Sequence, residues 1–355
     1  MAEKSNIGVK VRVLTLGALL ALGFSSETMA QKVSKSERVG QGLFELAVSE
    51  KSNAVYVAAA GSRTVPGGKI YKLDAKTLAV IDSIDLKDAP PYGVGINDKT
   101  QTLYTSNTRN KSVHAIDLKT KKVIATISNG KEKSHTREVF VDEVNNKVYV
   151  SDVGEGSSVW VIDGKTNKFS HLIENTGKST TGIAIDKKNQ LLYVTNMGTN
   201  EVGVIDLKTN KLSKSFASGG KQPVNLIFDE KSDRLFVAHQ GSSEVVVLKG
   251  STGEILKTIP AGEGALGINF DPAKKRIYTA NRRSGTVSVI DSETYEVLAT
   301  LETGSHPNTI VINKATGAAY VTNKAKMARR VQGEPAPATP PAPDLNGDTV
   351  SLILP

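Results

Sequence analysis

The sequence predicts an all-β protein, a seven-bladed β-propeller whose last blade is closed by an N-terminal strand paired with the C-terminal strand. Three observations carry that expectation. An aromatic–Val/Thr–x–Asn tetrad recurs seven times, with its aromatic at Tyr56, Tyr104, Tyr149, Tyr193, Phe236, Tyr278 and Tyr320. Successive spacings are 48, 45, 44, 43, 42 and 42 residues, a period that matches one propeller blade per repeat. Each repeat also divides into four short β-branched or aromatic runs bounded by Gly, Asn, Asp and Pro.

The chain of 355 residues is 39% hydrophobic and 23% charged, the balance of a globular protein. Residues 1–30 stand apart. Lys4, Lys10 and Arg12 precede an apolar run over 13–24, and small residues lead to Ala30, so this segment is expected to be a secretory signal cleaved after Ala30. An uncleaved anchor is the alternative. Its removal leaves 42 basic against 34 acidic residues, a chain that is still basic. There are no cysteines, which excludes a disulfide framework, thiol chemistry and a haem-attachment motif.

Residues 31–355 are expected to form the propeller. Repeat six shows its elements most clearly: strand a over 266–270, b over 276–280, c over 286–290 and d over 297–301. Strand c ends in a Val-x-x-Ile-Asp marker, as at Val113–Asp117, Val159–Asp163, Val202–Asp206 and Val287–Asp291, and the Asp is suited to opening a tight turn. The seventh repeat lacks strand d, and the stretch near Lys32–Val39 is expected to supply it. A Pro-rich loop, 325–347, separates strands b and c of that blade, with prolines at 335, 337, 340, 341 and 343.

The tetrads, together with segments such as 305–323, 159–164 and 175–185, resemble the YVTN-repeat propellers, and within them the YncE-like periplasmic proteins of Gram-negative bacteria. The resemblance spans about 35–325 plus the last strand. It implies a periplasmic, non-enzymatic binding protein, and single-stranded DNA binding has been associated with YncE-like members. The fold specifies function only weakly.

In an up-and-down blade the b–c and d–a loops share one face, the top. Seven of the ten arginines after residue 30 fall there: Arg63, Arg109, Arg137, Arg282, Arg283, Arg329 and Arg330. The b–c loops of blades 6, 7, 1 and 2 are basic, whereas those of blades 3, 4 and 5 carry Asp152, Glu155, Glu201 and Glu244. A basic arc suits a polyanion, because arginine pairs well with phosphate and carboxylate. The expected ligand contacts are Arg63, Tyr92, Asn107, Arg109, Arg137, Lys178, Asn196, His239, Asn281, Arg282, His306, Asn308 and Lys324. Tyr92 and Phe44 are the candidates for base stacking. Trp160, inside an apolar run, is expected in the core. The Asn column has turn capping as its structural alternative. Asp152 and His239 break that column. Arg137-Glu138 is placed to orient a ligand or to pair between blades.

No catalytic or metal motif emerges, and no cofactor is expected. Single-stranded nucleic acid is the first expectation as ligand, with a monomeric protein. A protein-interaction scaffold of the cell envelope and a lactonase-like or quinone-cofactor enzyme are the alternatives.

Overall fold

The computed structural model describes residues 1–3, 31–62, 67–326 and 344–355. The expected signal segment (except residues 1–3), Arg63 and most of the Pro-rich loop lie outside the described residues. Gln31–Pro355 forms one compact unit. Among the described residues no helix is long and apolar enough to cross a membrane.

The unit consists of seven four-stranded antiparallel sheets. Six blades take their strands consecutively, so each is a meander in which every turn joins neighbours. The seventh orders its strands as Lys32–Arg38, Thr349–Leu354, Ala319–Lys324 and His306–Ile312. Lys32 pairs with Leu354 and Arg38 with Thr349, with an irregularity between Val33 and Lys35. The expected closure is therefore present, and the C-terminal strand sits inside its sheet rather than at the edge.

The repeat positions divide the work of packing. The tetrad aromatics Tyr104, Tyr193, Phe236, Tyr278 and Tyr320 are almost fully buried. Two of them reach the next blade with their hydroxyls: Tyr104 donates to Asn167 Oδ1 (2.6 Å) and Tyr320 to the Ala75 carbonyl (2.8 Å). The Asp closing strand c caps its turn. Asp74 accepts from the backbone of Lys76 and Thr77, and Asp117 from Thr120, bonds that hold both carboxyls below the usual carboxylate range. Trp160 is fully buried and meets Phe169 edge-on with centroids 5.9 Å apart.

A further set of bonds stitches the blades around the channel. In blades 2, 4 and 7 the third tetrad residue carries a hydroxyl that accepts from strand a of its own blade and donates to strand a of the next. Ser106 accepts from Gly93 N and donates to the Arg137 carbonyl, while Thr322 accepts from Thr309 N and donates to the Phe44 carbonyl. These links fix the innermost strands, and therefore the channel wall, to one another.

Candidate ligand site at the top of the channel

The innermost strand of each blade begins at the top face and runs down the channel. Its pairing register aligns Phe44, Tyr92, Arg137, Thr181, Val224, Leu266 and Asn308 as one ring. The next ring down is Glu45, Gly93, Glu138, Gly182, Asn225, Gly267 and Thr309. In six blades a bulge at the start of this strand shifts the register just above these positions. Such bulges re-aim side chains near sites.

The upper ring and the residues following the tetrads meet at the channel mouth. Lys324 places Nζ 3.2 Å from the centroid of the Phe44 ring. Phe44 packs on Tyr92 with centroids 4.5 Å apart, and the Arg109 guanidinium lies 5.6 Å from the Tyr92 centroid. The aromatic pair is thus flanked by one cation on each side. Arg282 Nη1 donates to Asn308 Oδ1 (2.6 Å), and Asn308 Nδ2 donates to the Phe44 carbonyl (3.4 Å).

Burial, followed by the neighbouring Arg282 charge, pushes the Lys324 amine down to about 7, with Asp348 opposing. Burial also lowers Arg282 and Arg137, the latter against the attraction of Glu45 and Tyr92. His306 is lowered by burial and then by Arg282. Three other top-face cations are neutralised locally: Lys131 pairs with Glu174 (2.6 Å), Lys133 with Glu155, and Arg283 with Glu263 (3.3 Å). Among the described residues, Arg109, Arg137, Arg282 and Lys324 form no ion pair.

Beneath the cations lies a collar that alternates polar residues with glycine. Glu45 leans over blade 2 and accepts from Val94 N (3.2 Å). Burial raises its carboxyl to about 7, opposed by the Val94 bond and by Arg137. Glu138 leans over blade 4; burial and the Glu45 charge push it well above the usual range, against a bond from the Ile183 backbone. Its Oε2 is 2.6 Å from the Asn225 amide, which donates when the carboxyl is ionised. The glycines are required by close approach. A Cβ on Gly93 would lie 2.2 Å from the Arg137 carbonyl, and one on Gly267 2.5 Å from that of Asn308.

The structure brings together Tyr92, Arg109, Arg137, Arg282, His306, Asn308 and Lys324, all of them expected contacts. Four others lie inside the blades. Asn107 accepts from Thr105 Oγ1, Asn196 bridges Thr180 Oγ1 and the Thr176 carbonyl, and Asn281 donates to Thr286 Oγ1 and Ser288 Oγ. All three are buried, as the capping alternative for this column requires. His239 is fully buried, with Nε2 3.0 Å from Ser218 Oγ, and burial lowers it to about 4. Lys178 is exposed and packs beside Gly198 of its own blade.

The break at Asp152 has a local cause. Its carboxylate accepts from His135 N (2.7 Å), Gly154 N (2.9 Å) and Trp160 Nε1 (2.9 Å). Glu45 and Asn225 were not singled out by the sequence, although the Glu–Gly–Glu–Gly–Asn–Gly–Thr alternation of their column is a readable signal.

A family described as YNCE-like beta-propeller matches residues 140–333. Uncharacterized protein YncE of Escherichia coli K12 is 39% identical over 192 residues, 52% of this chain and 54% of that protein. Its Salmonella typhi counterpart is 41% identical over 191 residues, again 52% and 54%. The matched region spans about half the length of these curated relatives. In three dimensions a chain of Kuenenia stuttgartiensis hydrazine synthase superposes with a TM-score of 0.68, covering 86% of this chain and 96% of that one at 16% identity, which is a likeness of fold alone. The family match extends over more than half of the chain, and the seven sheets, closed by the two terminal strands, are the architecture it describes: this protein belongs to the YncE-like β-propeller family.

Proposed function

We propose that this protein is a non-enzymatic binding protein that holds an anionic ligand at the top mouth of its channel, and that a single-stranded nucleic acid backbone is the polymer that fits there. One observation carries the reading: Arg109, Arg137, Arg282 and Lys324 surround the Phe44–Tyr92 pair, and among the described residues none of them forms an ion pair. Arg282 and Lys324 are partly buried there; holding such cations without partners is costly, and a bound phosphate or carboxylate offsets that cost. The four cations lie on blades 6, 7, 2 and 3, with Phe44 of blade 1 between them, so an extended strand crossing the mouth meets cations on both sides of the aromatic pair. That pair is available to a base once Arg109 turns to a phosphate. The same proposal places the protein in the periplasm, resting on the basic, apolar and small-residue order of residues 1–30.

The test is fluorescence anisotropy with labelled single- and double-stranded oligonucleotides, using the Arg109→Gln/Arg137→Gln double variant as control. Four phosphate contacts predict about a 50-fold loss of single-strand affinity between 50 and 200 mM salt. An affinity indifferent to salt, or to the double substitution, rejects the proposal.

A further inference from the structure

Below the mouth the channel is a compartment of its own. Its cavity of about 450 Å³ runs from the collar of Glu45, Glu138 and Asn225 to a bottom rim with Glu50, Asp98, Glu143 and Lys314. Between them the wall is mostly apolar, with Ala47, Phe140, Ile227 and Val311 lining it beside Asn269. That volume and wall suit a small molecule rather than a polymer.

The polar ends of this cavity are asymmetric. At the collar the two carboxyls meet neutral partners: Val94 N donates to Glu45, Ile183 N donates to Glu138, and the Asn225 side chain lies against Glu138. The charge on Glu45 opposes ionisation of Glu138, and the basic neighbour acting on Glu45 is Arg137, which stands one ring above in the mouth. From the cavity side the pair has no counter-ion among the described residues. At the bottom rim the acidic residues accept backbone N–H groups of neighbouring blades, Lys51 N on Asp98 (3.2 Å) and Lys314 N on Glu50 (2.9 Å). The rim carries three carboxylates against the single ammonium of Lys314. A ligand approaching from below therefore crosses an acidic rim, passes an apolar wall, and stops at two desolvated carboxyls under a layer of cations. An anion is repelled along that path. A neutral molecule brings no charge to the collar, whereas an ammonium favours the ionised carboxylates that burial alone disfavours.

We infer that the channel takes a small organic cation, an ammonium group on a compact apolar body, which enters by the bottom rim and donates to Glu45 and Glu138. The apolar body lies along Ala47, Phe140, Ile227 and Val311. This site is distinct from the anion site of the mouth and does not depend on it.

Calorimetric titration and thermal unfolding of the full chain test this with three probes of similar size: phenethylammonium, 2-phenylethanol and 3-phenylpropionate. Phenethylammonium is expected to bind and to raise Tm with concentration, with the alcohol and the carboxylate at least tenfold weaker. Glu45→Gln and Glu138→Gln should each weaken phenethylammonium at least tenfold while circular dichroism shows the fold intact. If one variant does not fold, the other together with the three probes carries the test. Equal affinity for the alcohol, no effect of the folded Gln variants, or no binding of phenethylammonium overturns the inference.

Discussion

The fourth residue of each tetrad and the residue after it are adjacent in the chain and opposite in role. Asn107, Asn281 and Asn323 turn inward, are buried, and bond hydroxyls of their own blades. Arg282 and Lys324, one position further, stand over the channel. Arg109, two positions beyond Asn107, covers Tyr92. A strand reverses its facing at each residue, so one step separates scaffold from site. Repetition therefore marks the positions that cannot vary without loosening a blade, and the ligand-facing chemistry sits immediately beside them, where the blades differ.

The predictions probe that division. The largest effect belongs to the scaffold at its closure. Deleting 350–355 removes the buried Val350, Leu352 and Ile353 and leaves the strand 32–38 without its partner. At ~1.5–3 kcal/mol per buried side chain, the loss rivals the whole stability of an ordinary domain. Thermal unfolding followed by circular dichroism should show no cooperative transition; melting within a few degrees of the full chain breaks the scaffold half of the comparison.

Asp152→Ala removes the acceptor for two backbone amides and Trp160 Nε1, so it should cost about 2–4 kcal/mol in denaturant unfolding. A loss below about 0.5 kcal/mol would show that this break in the column is not structural.

The division is sharpest between neighbours. Asn281→Ala should lower stability by about 1–2 kcal/mol and leave oligonucleotide affinity as it was. Arg282→Gln combined with Lys324→Gln should weaken that affinity about 10–100-fold with no loss of stability, because burial opposes both charges in the free protein. If the two variants exchange phenotypes, the assignment of the columns is inverted.

Glu45 adds a pH dependence. Its folded value of about 7 lies above 4.5, so the folded state binds the extra proton between those values. That contribution is fully present below 4.5 and is lost as pH rises through 7. Glu45→Gln should flatten stability against pH across that window, and an unchanged profile would show the carboxyl to be well solvated. The smallest effect is Lys131→Gln at the exposed pair with Glu174, within about 0.5 kcal/mol.

The ring, its strands and its closure are legible in the sequence, because hydrophobic alternation and turn residues are local and every blade repeats them. Much of the mouth is legible too: Tyr92, Arg109, Arg137, Arg282 and Lys324 follow from loop placement and charge. What the sequence hides is the direction of side chains at strand ends. The bulge at the start of the innermost strand decides which residue faces the channel, and it depends on pairing with strand b. For the same reason Glu45 is hidden inside an unremarkable Leu-Phe-Glu-Leu run until seven strands are set side by side. Trp160 explains Asp152 only once the two are brought within 2.9 Å.

The seventh blade carries a consequence for biosynthesis. Ser36 and Ser351 share a hydrogen bond across 315 positions of chain. The strand containing Ser36 leaves the ribosome long before the strand it pairs with. Until then the nascent product presents open sheet edges, the feature that invites aggregation and engages chaperones and proteases. A polypeptide broken off before Thr349 therefore has nothing to pair with the strand Lys32–Arg38, and its ring stays open.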